Sequence, residues 1–247
     1  MIEFNVVIAT YNSAATLERC LESVRAISLA VSCNVILIDG ASTDNTLEIA
    51  EKYSDILNIV VSEPDCGIYD AWNKGLTYCT HRWVMFLGSD DYICPTEFLD
   101  YVTFIQRQRD ADFVSCQVRY VDADGRIIRT VGRPWDWRLF RKYMCALHPG
   151  SFTSMDYFGR VGNFDSSLKI CGDYEHLLRA GTTLKTAHWP NAPICMQVGG
   201  VSDGIAVLNE TLSVKLKLGC RGRLMSYVDY AINVAKYVIR VYLTNSR

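Results

Sequence analysis

Over the first hundred positions, nearly continuous apolar runs alternate with amphipathic stretches. Phe4 to Ala9, Val35 to Ile38, Ile59 to Val61 and Trp83 to Leu87 carry little polar alternation, the pattern of strands buried on both faces. Between them, Thr16 to Ile27 places Leu17, Leu21 and Val24 on one helical face. Asp44 can N-cap a helix running to Tyr53, and Gly67 to Tyr78 fills the third gap. Strand and helix alternating at this spacing predict right-handed crossovers and a parallel sheet. Pro95, at a first helical turn, opens a further helix over Thr96 to Gln108.

After Asp112 the texture changes. Phe113 to Tyr120 and Arg126 to Val131 flank Asp122-Ala123-Asp124-Gly125, whose Asp-Gly pair predicts an antiparallel hairpin. Trp135 to Ser154 is irregular, rich in aromatic and basic residues, and has the character of a binding loop. A short helix is expected over Asp173 to Ala180, ended by Gly181, followed by strands near Lys185 to Trp189 and Ile194 to Val198. A last helical pair covers Ala206 to Leu218 and Leu224 to Leu243, so the pattern divides the chain into an α/β domain over 1–205 and a C-terminal helical tail over 206–247.

With 247 residues, 49% of them apolar, the chain is long enough to bury about three quarters of its unfolded surface. Disorder and a disulfide-stapled miniprotein are excluded. A net charge of -2 lacks the basic excess that a general nucleic-acid binder needs. The ten cysteines contain no Cys-x-x-Cys pair, which removes zinc-ribbon and thioredoxin-type sites and favours scattered reduced thiols in a reducing compartment. Met1 to Asn5 has no basic region ahead of an apolar one, and no apolar run approaches the roughly eighteen residues that span a bilayer. A cytoplasmic protein is expected, with Asn209-Glu210-Thr211 a chance sequon.

In an open parallel sheet, ligands bind beyond the carboxyl ends of the strands. Here the first strand ends in Thr10-Tyr11-Asn12, the second in Asp39-Gly40-Ala41-Ser42-Thr43-Asp44 and the fourth in Gly88-Ser89-Asp90-Asp91. If these strands are adjacent, a ring, several hydroxyls and three or four carboxylates meet on one rim. Crowded carboxylates repel, and they commonly hold a hard cation or act as a base. Asp91 is the foremost metal candidate, because it lies too far ahead of Pro95 to cap that helix.

Several ordered motifs resemble the family 2 glycosyltransferases, which have the GT-A nucleotide-diphospho-sugar-binding fold. They are Ala9-Thr10-Tyr11-Asn12, Asp39-Gly40-Ala41-Ser42-Thr43-Asp44-Asn45-Thr46, the segment from Glu63 to Gly75, and Phe86-Leu87-Gly88-Ser89-Asp90-Asp91. The third is similar to a segment of transferases that build bacterial surface polysaccharides. The resemblance implies an α/β fold with a mostly parallel central sheet flanked by helices. It implies that Thr10, Tyr11, Asn12, Asp39 and Ser42 frame the nucleotide, with Tyr11 stacking on the base and Asp39 accepting from a ring N–H. Asp70, Asn73, Lys74 and Asp90 would face the ribose and diphosphate, and Asp91 would bind Mn²⁺ or Mg²⁺. Ser89 stands where the family's Asp-x-Asp motif has its first aspartate.

In this family an inverting base lies in a Glu-Asp pair opening a helix, which implies that role for Asp173; Gly172 replaces the glutamate. Glu175 is the fallback. His148, Trp135 and Trp137 are candidate acceptor or diphosphate contacts. The remaining histidines read as packed or surface residues, and Asp44 as a helix cap.

Gly200-Val201-Ser202-Asp203-Gly204 matches a hydrolase elbow in pattern, but no histidine follows it to complete a triad, and a loop closing over the donor diphosphate is the better account. In the tail, Arg221, Arg223, Lys236, Arg240 and Arg247 stand against Asp229 alone. Leu224, Val228, Ala231, Ile232, Ala235, Val238, Ile239 and Tyr242 share one helical face. Such a face suits peripheral attachment to the inner side of the cytoplasmic membrane, a second subunit in a homo-oligomer, or the chain's own domain.

The expectation is therefore an inverting, metal-dependent transferase moving a sugar from a UDP- or GDP-linked donor to a hydroxyl of a glycan or lipid-linked acceptor in surface polysaccharide biosynthesis. The rivals are a nucleotide-sugar-binding or membrane scaffold without turnover, motivated by Ser89 and Gly172, and a nucleotidyltransferase. The latter is disfavoured because Thr10-Tyr11-Asn12-Ser13 replaces the glycine-rich loop such enzymes place after their first strand.

Overall fold

A computed structural model of the chain describes residues 3–199 and 204–245. Its first part alternates strand and helix: β1 (Glu3–Thr10), α1 (Leu17–Ser28), β2 (Ser32–Asp39), α2 (Thr46–Glu51), β3 (Ile59–Ser62), α3 (Ile68–Leu76) and β4 (Trp83–Gly88). There follow β5 (Tyr92–Ile93), α4 (Pro95–Ile105), β6 (Phe113–Val121), β7 (Ile127–Val131), α5 (Trp137–Phe140), β8 (Phe152–Ser154) and α6 (Met155–Val161). The chain closes with α7 (Gly172–Ala180), β9 (Thr186–Gln197), α8 (Ala206–Leu218) and α9 (Arg223–Asn245).

Among the described residues the strands form one sheet in the order β3-β2-β1-β4-β8-β6-β9-β5, with β7 paired to β6. Strands β3, β2, β1 and β4 are parallel, as the alternating pattern requires. Beyond β4 the sheet is mixed: β8 runs antiparallel to both β4 and β6, β9 is parallel to β6, and β5 is antiparallel to β9. The β6–β7 hairpin turns at Gly125, whose φ of +78 suits glycine.

Three local expectations differ from the structure. The two strands expected near Lys185 to Trp189 and Ile194 to Val198 are one strand, β9, whose register against β6 shifts between Cys116 and Val118. Pro190 and Pro193 remove two ladder N–H groups there, so the segment bulges rather than ends. Asp44 sits one residue before the α2 N-cap, Asn45, and accepts from the amides of Thr46 and Ala14, each at 3.1 Å. Short β5, α5, β8 and α6 carry too few residues for a periodic signal. The glycine-rich segment 200–204 falls almost wholly outside the described residues.

Burial explains the continuous apolar runs. Phe4, Val6 and Ile8 of β1 point into a cluster with α1, α2 and α4, while Val7 points into a second cluster with Trp72 of α3 and Phe86 of β4. A third cluster joins Phe140 of α5, Tyr157 of α6, Tyr174 and Leu177 of α7 and Val214 of α8, so the first helix of the tail shares the core of the domain before it. Within β1 the exception is Asn5, fully buried. Its amide donates to His81 O at 2.9 Å and Trp83 O at 2.8 Å, and its carbonyl accepts from Thr80 N at 2.9 Å, fastening the entry to β4. Replacing Asn5 by Ala strands those buried backbone groups; a loss of about 3 kcal/mol is expected in the urea unfolding free energy.

Candidate active site

Strand register places the candidate residues level with one another. Thr10 pairs with Asp39 across β1 and β2, and Ala9 with Gly88 across β1 and β4, so the loops after β1, β2 and β4 share one rim. The first two loops are laced together. Asn12 N donates to Ser42 Oγ at 2.8 Å, Thr43 N to Asn12 Oδ1 at 2.9 Å, and Ser13 N to Thr46 Oγ1 at 2.7 Å. Asn12 (φ +48) and Ala41 (φ +62) both adopt left-handed backbone here, and for alanine that conformation costs about 1 kcal/mol or more. Ser89 Oγ joins the third loop to the first through Ser13 Oγ at 2.8 Å.

Asp39 is fully buried beneath these loops. Its carboxylate accepts from Ser42 N at 2.9 Å, from Ser62 Oγ at 2.6 Å and from Ser42 Oγ, so it shapes the turn after β2 as well as lying on the rim. Tyr11 extends outward, 63% exposed, with its ring beside Gly40; the Asp65 carboxylate crowds the same glycine. The buried Thr10 hydroxyl has no hydrogen-bond partner.

The carboxylates of Asp90 and Asp91 converge over Gly88, where an added Cβ would lie 2.8 Å from Asp90 Oδ1 and 3.0 Å from Asp91 Oδ2. A side chain at 88 would push these carboxylates aside. Burial pushes the Asp91 carboxyl well above the usual carboxylate range, and Asp90 adds to the shift. Arg19 opposes that shift only in part: its guanidinium donates to Gln197 Oε1 at 2.7 Å and to the Asp90 carbonyl at 3.1 Å. Asp91 Oδ1 is buried and has no partner. Two adjacent carboxylates with one orphaned oxygen fit a hard divalent cation. No group of three or more His, Cys, Asp or Glu ligands occurs among the described residues, so the protein would supply a minority of the coordination sphere.

Asp173 opens α7 and is partly buried. Its Oδ1 accepts from Tyr174 N at 2.8 Å and lies 3.1 Å from the Tyr69 hydroxyl, which also reaches Ile170 O at 2.7 Å. Burial pushes the carboxyl up to about 6, opposed by the Tyr174 amide and the Tyr69 hydroxyl, with Glu210 adding repulsion. Gly172 is explained by the same tyrosine: a Cβ there would lie 2.7 Å from ring carbons of Tyr69, and a rigid ring cannot yield as a flexible chain would. Glu210 of α8 fixes the approach to α7 by accepting from three successive amides, Lys169 N at 2.7 Å and Ile170 N and Cys171 N at 2.6 Å.

Other predicted site residues are held elsewhere. Both ends of the Asn73 amide bond the Phe164 backbone, tying α3 to the loop before α7. Lys74 pairs with Glu63 at 2.9 Å and donates to Pro64 O at 2.8 Å, while Asp70 accepts from Cys66 N. Glu175 is buried against Arg179 at 2.7 Å. His148 is buried among Trp72, Phe86 and Phe164, and burial pushes its imidazole down to about 3. Trp135 and Trp137 remain partly exposed, with ring centroids 6.3 Å apart, and Trp135 packs on Phe140. Sequence reasoning assigned no role to Tyr69, Arg19, Asp65 or Glu210. Of these, Asp65 and Tyr69 had a signal, as part of the quoted Glu63 to Gly75 motif, and Arg19 and Glu210 had none.

Comparisons with known proteins bear on the fold and the family. The chain is 32% identical over 186 residues to the PGL/p-HBAD biosynthesis glycosyltransferase of Mycobacterium bovis (strain BCG / Pasteur 1173P2), covering 71% of this chain and 68% of that protein. The structure is similar to Staphylococcus aureus TarS 1-349 in complex with UDP-GlcNAc, with a TM-score of 0.67 and 21% identity, covering 87% of this chain and 67% of that one. It is also similar to the mannosyltransferase PcManGT from Pyrobaculum calidifontis in complex with GDP-Man and Mn²⁺, with a TM-score of 0.67 and 15% identity, covering 98% of this chain and 79% of that one. At these identities the two structures show the shared GT-A fold. The family model described as glycosyl transferase family 2 matches residues 5–168, from the second position of β1 to the loop before α7, and the chain belongs to that family of glycosyltransferases.

Proposed function

We propose that the chain is an inverting, metal-dependent transferase of surface polysaccharide biosynthesis, moving a sugar from a UDP- or GDP-linked donor to a hydroxyl of a glycan or lipid-linked acceptor. The observation that carries the reading is the Asp173 carboxylate, fixed by Tyr69 and Tyr174 and pushed up to about 6. A carboxylate so tuned is largely ionised at neutral pH yet basic enough to take a hydroxyl proton. The acceptor oxygen forms the new bond to the anomeric carbon while its proton passes to Asp173, and the bond from that carbon to the diphosphate oxygen breaks, releasing nucleoside diphosphate.

On the donor side, Tyr11 offers a stacking face and Asp39 an acceptor for a ring N–H, on a rim held rigid by the bonds between Asn12, Ser42 and Thr43. Asp91, with Asp90 beside it, would hold Mn²⁺ or Mg²⁺, which supplies positive charge to the departing diphosphate. The partly exposed Trp135–Trp137 pair is the proposed acceptor contact. With His148 and Glu175 buried against other groups, Asp173 is left as the base. A membrane or nucleotide-sugar scaffold without turnover is the rival.

Asp173→Asn is expected to lower kcat by about 10³ while donor affinity changes little, measured by nucleoside diphosphate release with acceptor present. A variant that turns over normally would refute the base. The asparagine keeps an oxygen acceptor and removes a buried charge, so its melting temperature should not fall. In the wild type the folded carboxyl value lies above the usual 3.8, so the native state binds this proton more tightly. This group therefore adds relative stability as pH falls through about 6 toward 3.8, whereas kcat/KM is expected to drop along an acid limb near 6 that the asparagine variant lacks. Asp91→Asn is expected to weaken Mn²⁺ binding in the presence of nucleoside diphosphate about tenfold, read by the electron paramagnetic resonance of free Mn²⁺. Unchanged binding would remove Asp91 from the metal site.

A further inference from the structure

Helix α9 uses its polar face for folding and leaves its apolar face uncovered. Toward α8, Ser226 is buried, Tyr230 OH donates to Asn209 Oδ1 at 2.8 Å, and Asp229 receives Arg221 at 2.8 Å and Lys215 at 3.3 Å. On the opposite side Leu224 is 73% exposed, Val228 40%, Ile232 49%, Val238 56%, Ile239 59% and Tyr242 73%. Scattered exposed apolar residues are ordinary, but a continuous stripe along one helix marks a contact surface. Among the described residues, none of the buried clusters takes in Leu224, Val228, Ile232, Val238 or Ile239.

Charge identifies the occupant. Asp229 is the helix's only carboxylate, and it is turned inward and paired with two cations, whereas Arg223 and Lys236 lie on the margins of the apolar stripe. The outward aspect of α9 is therefore apolar with basic edges, on a chain whose net charge is -2. A second copy seated on this face would set basic margin against basic margin, which disfavours self-association. An anionic lipid surface complements both features, taking the stripe into the acyl boundary and the cations at its phosphates. No described helix is long and apolar enough to cross a membrane, so this mode is attachment in the plane.

We propose that α9 lies on an anionic bilayer and thereby holds the active site beside it. Helix α9 packs on α8, and Glu210 of α8 holds the amides of residues 169–171 that lead into α7 and Asp173. Asp173 is thus tied through α8 to the bilayer-facing helix. This use of the surface rests on the proposed transfer reaction, but the binding itself does not.

Co-sedimentation of the full chain with phosphatidylglycerol-containing vesicles, beside pure phosphatidylcholine vesicles, tests it. Binding is expected to be at least about tenfold stronger to the anionic vesicles and to weaken with salt. Ile232→Ser/Ile239→Ser and Arg223→Gln/Lys236→Gln should each reduce it about tenfold or more without lowering the melting temperature, since these side chains are exposed. Wild-type protein that stays in the supernatant overturns the proposal. So does a dimer, seen by sedimentation velocity, that Ile232→Ser/Ile239→Ser dissociates while vesicle binding is absent. Donor hydrolysis in the absence of vesicles should be unchanged in both double variants, so failure of the catalytic reading would be seen separately.

Discussion

An unpaired, buried oxygen on Asp91 is the constraint around which the carboxyl edge of the sheet is organised. Burying a carboxylate is costly unless a partner or a cation compensates it. A fold selected only for stability would place a guanidinium there. Arg19 is close enough to lower the Asp91 carboxyl somewhat, but its Nη2 donates to the Gln197 side-chain oxygen and the Asp90 carbonyl. Gly88 permits the two carboxylates to approach, and the parallel pairing of β4 with β1 sets them beside the loop that carries Tyr11 and Asn12.

The strand-end rim and the region around Asp173 are built differently. At the rim, left-handed residues at 12 and 41 and the bonds between their loops fix the backbone. Preorganisation of that kind lowers the ordering cost of binding. Around α7, Tyr69 of α3 reaches Asp173, and its ring occupies the space that a side chain at 172 would need. The glycine at the position where the family has glutamate is therefore a packing consequence of Tyr69. It does not by itself indicate a disabled site, because the aspartate retains both of its hydrogen bonds.

The tail is part of this second region. Glu210 satisfies three consecutive amides just ahead of α7, a cluster of donors that would otherwise need water or an anion. Lys215 is almost fully buried and donates to Lys142 O at 2.5 Å while facing Asp229, so α8 is fastened to the domain and α9 to α8. Helix α9 is therefore connected through α8 to the segment that leads into Asp173 by short, largely charged contacts.

The first four strands, their crossover helices, the hairpin at Gly125 and the C-terminal helical pair were legible in the sequence, because burial on one or both faces imposes a period that residues reveal locally. So were the strand-end clusters at 10–12, 39–44 and 88–91, since parallel strands project their carboxyl ends to one edge whatever their order. Tertiary packing alone decided the rest. It put His148 and Glu175 among aromatic and charged neighbours, committed Asn73 to Phe164, and brought Tyr69, Asp173 and Glu210 together from three distant segments. Sequence carries the propensity of a segment and the chemistry of a side chain. Which groups meet across a core, and so which are spent on holding the fold and which remain free for a ligand, depends on contacts between residues a hundred positions apart that no local pattern encodes.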